Sequence, residues 1–128
     1  MYSCATTHTT EMVAVSPHEW SKPCDVIYEN EDTLSLHRLG IAVRYNNAFK
    51  ADTLSLHVHV LTPDLRSFEE RITLQLRRPY TASAVATSEM RPYRKHSQLP
   101  QRGFYIFTLT PPYAVKGIEA VGITIEKE

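Results

Sequence analysis

The amino-acid sequence predicts an all-β chain folded as a single-domain, antiparallel, jelly-roll-like β-sandwich of about seven to eight strands. Its 128 residues leave room for one hydrophobic core and hardly for two. Its dominant hydrophobic period is two residues, which is the repeat of a strand with one buried face. Turn signals rich in proline and asparagine interrupt this pattern at short spacing. We expect a tether over residues 1–10 and the sandwich over residues 11–128.

The alternation of apolar and polar residues defines the strands in chain order. It is clearest in TLSLHVHVL, where Leu54, Leu56 and Val58 lie on one face and the two histidines on the other. ERITLQL and EAVGITIEK repeat the same pattern. The predicted strands cover residues 11–15, 24–29, 33–45, 53–61, 70–76, a weak segment near Ala82–Thr87, 103–110 and 119–127.

Two strands have unusual patterns. In TLSLHRLGIAVRY the apolar positions change from even numbers, at Leu34 and Leu36, to odd numbers from Leu39 onward. A bulge or break near Arg38–Gly40 would let the apolar residues of both halves face the same core, because one extra residue shifts the alternation by one position. GFYIFTLT is apolar on both faces, which predicts a central strand covered on both sides.

The stretch RPYTASAVATSEMRPYRKHSQLPQRG is the least patterned part of the chain. Beyond its weak strand we expect a long basic loop over residues 91–102. The basic excess of residues 77–102 is expected to pair with acidic surface of the same domain, and a dedicated acidic partner is the alternative. Short helical turns are expected after Pro63 and in PPYAVKG, where Pro112 could begin a turn that Gly117 ends.

Composition and motifs argue against several function classes. Fourteen basic and fourteen acidic residues cancel, whereas a nucleic-acid-binding domain is usually clearly basic, so we expect no nucleic-acid partner. No run of eighteen apolar residues could span a membrane. The sequence has no GxSxG elbow and no glycine-rich phosphate loop. These motifs therefore identify no catalytic residue and no cofactor.

His57 and His59 are the candidate metal ligands. They stand two positions apart on one strand, so both side chains lie on the same face, opposite Leu56 and Val58. Two imidazoles on one face can share a zinc ion if a third ligand completes the site, and His37 and His18 are the candidates. The alternative is that the two histidines are simply polar residues on a solvated strand face.

Aromatic residues could line a sugar-binding surface, and Trp20 is the principal candidate because it lies outside a clear strand. The alternative is that Trp20 closes one end of the sandwich and buries a large apolar area. The other aromatic candidates are Tyr28, Tyr45, Phe49, Tyr80, Tyr93, Tyr105 and Tyr113.

The two cysteines, Cys4 and Cys24, have neither CxxC spacing nor the even, larger number of a disulfide framework. A disulfide between them could form in an oxidising compartment. A lone, partly buried thiol at Cys24 is the other interpretation.

Four stretches of the chain resemble the GldH family, the gliding-motility lipoproteins of the Bacteroidetes. They are HEWSKPCDVIYE, IAVRYNNAFKADTLSLHVHV, ERITLQL and RGFYIFTLTPPYAVKGIEAVGITIEK. Together they cover most of the chain from Trp20 to Lys127. The chain departs from the family where RRPYTASAVATSEMRPYRKH replaces a glycine-rich stretch with an aromatic residue, so we expect a divergent member.

The resemblance implies an N-terminal lipid anchor. Family members carry a lipoprotein signal and are anchored through a cysteine, and in MYSC the small residue Ser3 precedes Cys4. The resemblance therefore predicts acylation of Cys4, with diacylglycerol and palmitate-like chains, and a signal peptide whose apolar part lies upstream of Met1. Acylation would exclude a disulfide between Cys4 and Cys24.

By resemblance, the chain is expected to be a non-enzymatic envelope lipoprotein, facing the periplasm or the cell surface, that supports a motility and secretion machinery through protein partners. Candidate docking surfaces are the basic loop at 91–102 and an exposed strand face with Arg44, Ser55, His57 and His59. The rival hypotheses are a carbohydrate-binding module that uses Trp20, and a zinc enzyme that uses His57 and His59.

Overall fold

The computed structural model describes residues 8–76 and 86–128 of the chain. These residues form two four-stranded antiparallel sheets, with strand orders β1-β8-β3-β6 in the first sheet and β2-β7-β4-β5 in the second. The strands are β1 His8–Ala14, β2 Cys24–Asn30, β3 Leu36–Tyr45, β4 Thr53–Leu61, β5 Ser67–Gln75, β6 Thr87–Gln98, β7 Gly103–Thr110 and β8 Ile118–Lys127. The predicted all-β sandwich is confirmed.

The pairing of the strands is that of a jelly roll. β1 pairs with β8, β2 with β7, β3 with β6 and β4 with β5, as in one long hairpin rolled onto itself. Two further pairings, β3 with β8 and β4 with β7, join these four strand pairs into two sheets.

Because successive strands run in opposite directions, the loops alternate between the two ends of the sandwich. We call one the Trp20 end, formed by loops 15–23, 46–52 and 111–117, and the other the Asn30 end, formed by loops 31–35, 62–66 and 99–102. Backbone hydrogen bonds between Trp20 and Val115 and from Asn46 N to Gly117 O connect loops at the first end. The Asn30 side-chain amide, which donates to the carbonyl oxygens of Leu99 and Gln101, connects elements at the second.

The core lies between the sheets and is formed by alternate residues of the inner strands. In the first sheet the odd positions of β3, from Leu39 to Tyr45, are buried, as is the inner face of β8. The second sheet contributes the inner faces of β2, β4 and β7. The largest fully buried side chains are Tyr45, Phe107, Ile41, Leu54, Leu56, Leu109, Ile118 and Ile123.

The predicted irregularity in β3 is present, but it does not bring the early leucines into the core. The register between β3 and β6 shifts on both sides of Leu39, within the predicted Arg38–Gly40 segment. The register between β3 and β8 stays regular there, so the odd positions continue to face inward from His37 onward. Leu34 and Leu36 are consequently exposed rather than buried.

Two further expectations about strands are corrected. β7 is central, between β2 and β4, but it is not covered on both sides, since Phe104 on its outer face is 56% exposed. The basic stretch predicted as a loop over 91–102 is mostly strand β6, which extends to Gln98. β6 is an edge strand, where Pro92 is tolerated because a missing N–H costs no ladder bond on the open side. Most of the weak strand near Ala82–Thr87 lies outside the described residues.

The connections also differ from expectation in two places. The residues after Pro63 and the PPYAVKG segment form turns and bends, not helical turns. β1 begins at His8, so the sandwich starts three residues before the predicted boundary at residue 11. In residues 8–76 and 86–128, no helix is long and apolar enough to cross a membrane.

Gly117 holds the Trp20 end together through its backbone. Its N–H donates to Pro17 O at 2.8 Å and its carbonyl accepts from Asn46 N at 2.9 Å. Its φ of +88° lies in the left-handed region, which side chains with a Cβ disfavour. A Cβ at this position would also collide with the backbone of Ala48 and Phe49.

The Gly117→Ala substitution should therefore destabilise the fold by roughly 2–3 kcal/mol, because strain and a backbone clash act together. Urea unfolding followed by circular dichroism measures the free energy of unfolding. The exposed neighbour Lys116 provides the control, since Lys116→Ala should change that free energy by less than about 0.5 kcal/mol. Equal stability of the two variants would contradict the tight loop packing described above.

Candidate functional site

His57 and His59 occupy the outer face of the second sheet, as predicted, and both lie beside Glu69. Their neighbours Leu56 and Val58 are buried on the opposite face. The Nε2 atom of His57 lies 3.3 Å from Glu69 Oε2, and that of His59 lies 4.0 Å from Glu69 Oε1. Glu69 stands directly across from His59 in the β4–β5 register. The carboxylate between the two rings thus provides an acceptor, and protonated imidazoles would form exposed ion pairs with it.

The third zinc ligands suggested by the sequence do not reach this pair. His37 is buried on the inner side of β3, in the first sheet, and His18 is exposed in loop 15–23. Within residues 8–76 and 86–128, no group of three or more His, Cys, Asp or Glu side chains is arranged to hold a metal ion.

Arg44 does not share a surface with the histidines, so the predicted joint docking face is wrong. Arg44 lies on β3 in the first sheet, and the outer faces of the two sheets point in opposite directions. Its Nε atom lies 3.2 Å from Glu119 Oε1, while Asn46 donates to the other oxygen of that carboxylate at 2.8 Å. Hydrogen bonds from Asn46 and then Arg44 lower the pKa of Glu119. Arg44 is therefore part of an ionic and hydrogen-bonded cluster at the Trp20 end.

Trp20 closes one end of the sandwich, which confirms that alternative, and it does not form the exposed sugar platform that the sequence also suggested. Its side chain is 3% exposed, and the indole N–H donates to the Lys22 carbonyl at 2.8 Å. Two backbone hydrogen bonds with Val115, at 2.8 and 3.0 Å, fix the residue across the loops of its end. A ring that is buried in this way offers no face on which a sugar could stack.

Cys24 is a buried, reduced thiol at the start of β2. Desolvation by burial, followed by the charge of Asp25, raises its pKa, so its reactive thiolate is scarce near neutral pH. Cys4, the candidate acylation site, lies outside the described residues.

A groove that sequence reasoning missed runs along the open side of the sandwich, between the edge strands β5 and β6. Its volume is about 440 Å³. The apolar lining comes from both sheets, and polar side chains surround it near the Asn30 end. The aromatic lining residues are Phe68, Tyr93, Tyr105 and Phe107, and the polar ones include Thr62, Arg66, Glu70, Arg94, Gln98 and Gln101.

An ion pair between the two edge strands spans this groove. The Arg94 guanidinium donates a hydrogen bond to the Glu70 carboxylate. The same carboxylate accepts a hydrogen bond from the Tyr93 hydroxyl at 3.2 Å. Arg94 lies 5.4 Å from the centroid of the Tyr93 ring. Burial, and then the negative charge of Glu70, raise the pKa of Tyr93, so its hydroxyl stays protonated and remains a donor at neutral pH.

Gln101 adds an acceptor to the lining. Its amide nitrogen donates to Asp64 Oδ2 at 2.6 Å, whereas its buried Oε1 has no hydrogen-bond partner. Two of the aromatic candidates from the sequence, Tyr93 and Tyr105, thus meet in a cleft with nearby donors and acceptors. One sequence signal could have located the groove. Glu70 lies two residues before Ile72 and four before Leu74, so it points to the same inner face of β5, where a charged side chain indicates that the core is open.

Comparisons with protein-family models, with curated proteins and with solved structures found no match. The resemblance to GldH-type lipoproteins therefore stays a prediction. The features available for a functional proposal are the groove, the outer face with its histidine pair and the position at which the N-terminal segment joins the sandwich.

The Trp20→Ala variant should lose about 3–5 kcal/mol of unfolding free energy, because it leaves a large cavity at one end of the core. Thermal or urea unfolding measures this loss. Tyr113 is the matched control, since it is an aromatic residue at the same end that is 67% exposed. Tyr113→Ala should be nearly neutral. A Trp20→Ala variant as stable as the parent chain would refute the closing role of Trp20.

Proposed function

We propose that this chain is a non-enzymatic, membrane-anchored envelope protein with an accessory or assembly role of the gliding-motility lipoprotein kind. The four resembling stretches and the Ser3–Cys4 pair support it from the sequence. β1 begins at His8, so a lipid on Cys4 would stand only four positions before the sandwich. The proposal includes protein partners in the envelope and no nucleic acid.

The observation that carries the proposal is the Ser3–Cys4 pair, which lies four positions before the first strand. Four residue steps span at most about 14 Å, at ~3.5 Å for each step. β1 is an edge strand, and His8 pairs with Glu126 near the end of β8, at the Asn30 end. A lipid on Cys4 would therefore hold the Asn30 end at the membrane and leave the Trp20 end facing away. Several acyl chains anchor stably, since each buried methylene adds ~0.8 kcal/mol.

The surfaces proposed for partner contact are the basic edge of β6 and the outer face of the second sheet. β6 presents Arg94 and Lys95 along an open sheet edge. Arg91 forms a salt bridge with Glu89 on the same strand, and Arg94 forms one with Glu70 on β5, the acidic partner elsewhere in the domain that the sequence analysis expected. The outer face of the second sheet offers the His57–Glu69–His59 cluster together with exposed Phe104 and Ile27.

Mass spectrometry of the N-terminus tests the anchor. The protein is produced in its own host from its full upstream region, and the Cys4→Ser variant serves as the control. We expect a mature chain that begins at Cys4 and carries diacylglycerol, and a Cys4→Ser protein released from the membrane fraction. A chain that begins at Met1 or Tyr2 with a free Cys4 thiol would contradict the proposal.

A ligand-binding module is the second candidate function, and the groove between β5 and β6 favours it. Exposed Phe68 and half-buried Tyr93 offer aromatic faces, while Arg66, Gln98 and Gln101 supply hydrogen-bonding groups around them. Aromatic faces with nearby polar groups suit a carbohydrate, which has apolar C–H faces and hydroxyl rims.

Glycan binding should weaken by about two- to thirteenfold in Phe68→Ala and Tyr93→Ala, since one aromatic contact contributes about 0.5–1.5 kcal/mol. A glycan array identifies a ligand, and isothermal titration calorimetry measures its affinity. Tyr113→Ala, an aromatic truncation far from the groove, should bind like the parent chain. No binding in the array, or equal binding by all variants, would remove this second function, with circular dichroism verifying that each variant is folded.

A further inference from the structure

Two leucines at the Asn30 end are almost fully exposed. Leu34, in the loop from β2 to β3, is 84% exposed, and Leu65, in the loop from β4 to β5, is 78% exposed. A single exposed leucine on a soluble domain needs no explanation. Two exposed leucines in neighbouring loops at the same end of the sandwich suggest that both contact one apolar partner.

The backbone conformation at Leu65 is one that leucine adopts at an energetic cost. Its φ of +67° lies in the left-handed region, which glycine and asparagine adopt far more readily than leucine. Its N–H donates to the Thr62 carbonyl at 2.9 Å, so the turn keeps the residue in this conformation. Glycine would form the same turn with less strain. The leucine side chain is 78% exposed, so packing within the domain does not account for a leucine in this conformation.

The carboxylates of Asp32 and Asp64, one in each loop, have hydrogen-bond partners within the domain. Asp32 Oδ1 accepts from the backbone N–H groups of Leu34 and Ser35 at 3.1 and 3.0 Å. Asp64 accepts from Arg66 at 2.9 Å and from Gln101 at 2.6 Å. Because these bonds are already made, the loops can approach an apolar phase without leaving those groups unpaired.

Hydrogen bonds also join the three loops of this end into one surface. Gln98 donates to the Thr33 carbonyl at 3.1 Å, and Gln101 contacts Asp64, so loop 99–102 and the end of β6 bridge the two leucine-bearing loops. Leu36, a third exposed leucine, accepts a backbone hydrogen bond from Glu128 N, next to the end of β8 with which β1 pairs. The N-terminal segment therefore leaves the sandwich beside this surface.

We propose that Leu34 and Leu65 form a lipid-contact tip, which inserts into the interface of a zwitterionic bilayer and orients the sandwich with its Asn30 end on the membrane. This proposal adds an orientation on the membrane to the proposed function. It rests on that function in one respect, namely that the Cys4 anchor brings this end to the bilayer. Insertion itself depends only on the two loops.

The loops of this end carry three carboxylates, of Glu31, Asp32 and Asp64, against the two arginines Arg66 and Arg102, and this acidic balance favours a zwitterionic surface over an anionic one. Hydrogen bonds from the side chain and backbone of Ser35, and then from the Leu34 backbone, lower the pKa of Asp32 to about 2. A hydrogen bond from Thr62, with further help from Gln101 and Arg66, lowers the pKa of Asp64. Both carboxylates stay ionised at neutral pH and would repel anionic headgroups. Ammonium-bearing headgroups such as phosphatidylethanolamine match them.

Tryptophan fluorescence on vesicles tests the tip without relying on native acylation. A full-length Cys4→Ser chain with an N-terminal hexahistidine tag is bound to nickel-chelating lipid in phosphatidylethanolamine–phosphatidylcholine vesicles with brominated acyl chains. In this background, Leu65→Trp reports from the tip and Tyr113→Trp reports from the opposite end. Buried Trp20 contributes the same emission to both variants and is subtracted.

We expect the Leu65→Trp signal to shift to shorter wavelength and to be quenched by the brominated chains, and the Tyr113→Trp signal to do neither. Equal responses at both positions, or no response at position 65 of the vesicle-bound chain, would overturn the tip. Crosslinking of position 65 to another protein in cells, together with absence of quenching, would also overturn it and assign the leucines to a protein partner.

Partition of the untagged Cys4→Ser chain into the same vesicles provides a second measurement. The Leu34→Ser/Leu65→Ser double variant should bind about tenfold more weakly than its parent, whereas Tyr113→Ser should bind equally well. Leu65→Gly should keep or raise the unfolding midpoint, since it relieves the positive φ, yet it should lose affinity for vesicles. Unchanged partition in the double variant would refute insertion. Failure of acylation in the mass-spectrometric experiment would refute the anchor alone, so the two failures are distinguishable.

Discussion

The inward parity of the four central strands is the constraint on which the rest of the molecule depends. Odd positions of β3 and β8 and even positions of β4 face the same core, and the paired registers hold them there over long runs. A slip of one residue would expose every one of these side chains, because neighbouring residues of a strand point to opposite faces. This parity also decides which strand residues stay outside: the histidine pair on one sheet, and Arg44 and Leu36 on the other.

The sandwich is open where inward-facing positions of two edge strands are occupied by charged instead of apolar residues. On β5 the inward positions change from Leu74 and Ile72 to Glu70, and on β6 they include Glu89 and Arg91. Charged side chains cannot close a core unless they are paired, and here Arg94 pairs with Glu70 and Arg91 with Glu89. The result is a groove with an apolar floor and an ionic bridge instead of a sealed edge. The same property makes it the candidate site for a ligand.

The sequence was sufficient to predict the strands in which apolar and polar residues alternate, the β3 irregularity and the face of His57 and His59. It was insufficient for β6, since the inward positions of this strand are Glu89, Arg91 and Tyr93, which form no apolar period. Sandwich topology, and not local pattern, separates Arg44 from the histidines and buries Trp20 beneath a loop distant in sequence. The groove was missed for the same reason, because its two walls come from strands that do not pair with each other, and Glu70 alone marks one of them.

The attachment of β1 has a mechanical consequence for a protein held by its N-terminus. β1 is bound by seven residue pairs to β8 along one edge, from His8 opposite Glu126 to Ala14 opposite Ala120. Tension between the membrane at one end and a partner at the Trp20 end would act parallel to this strand. Such a load is shared by all the inter-strand hydrogen bonds at once and must break them together, whereas a pull across the sheet would open them one at a time. If Cys4 is acylated as proposed, the sandwich would therefore transmit force along its length without separation of β1 from β8.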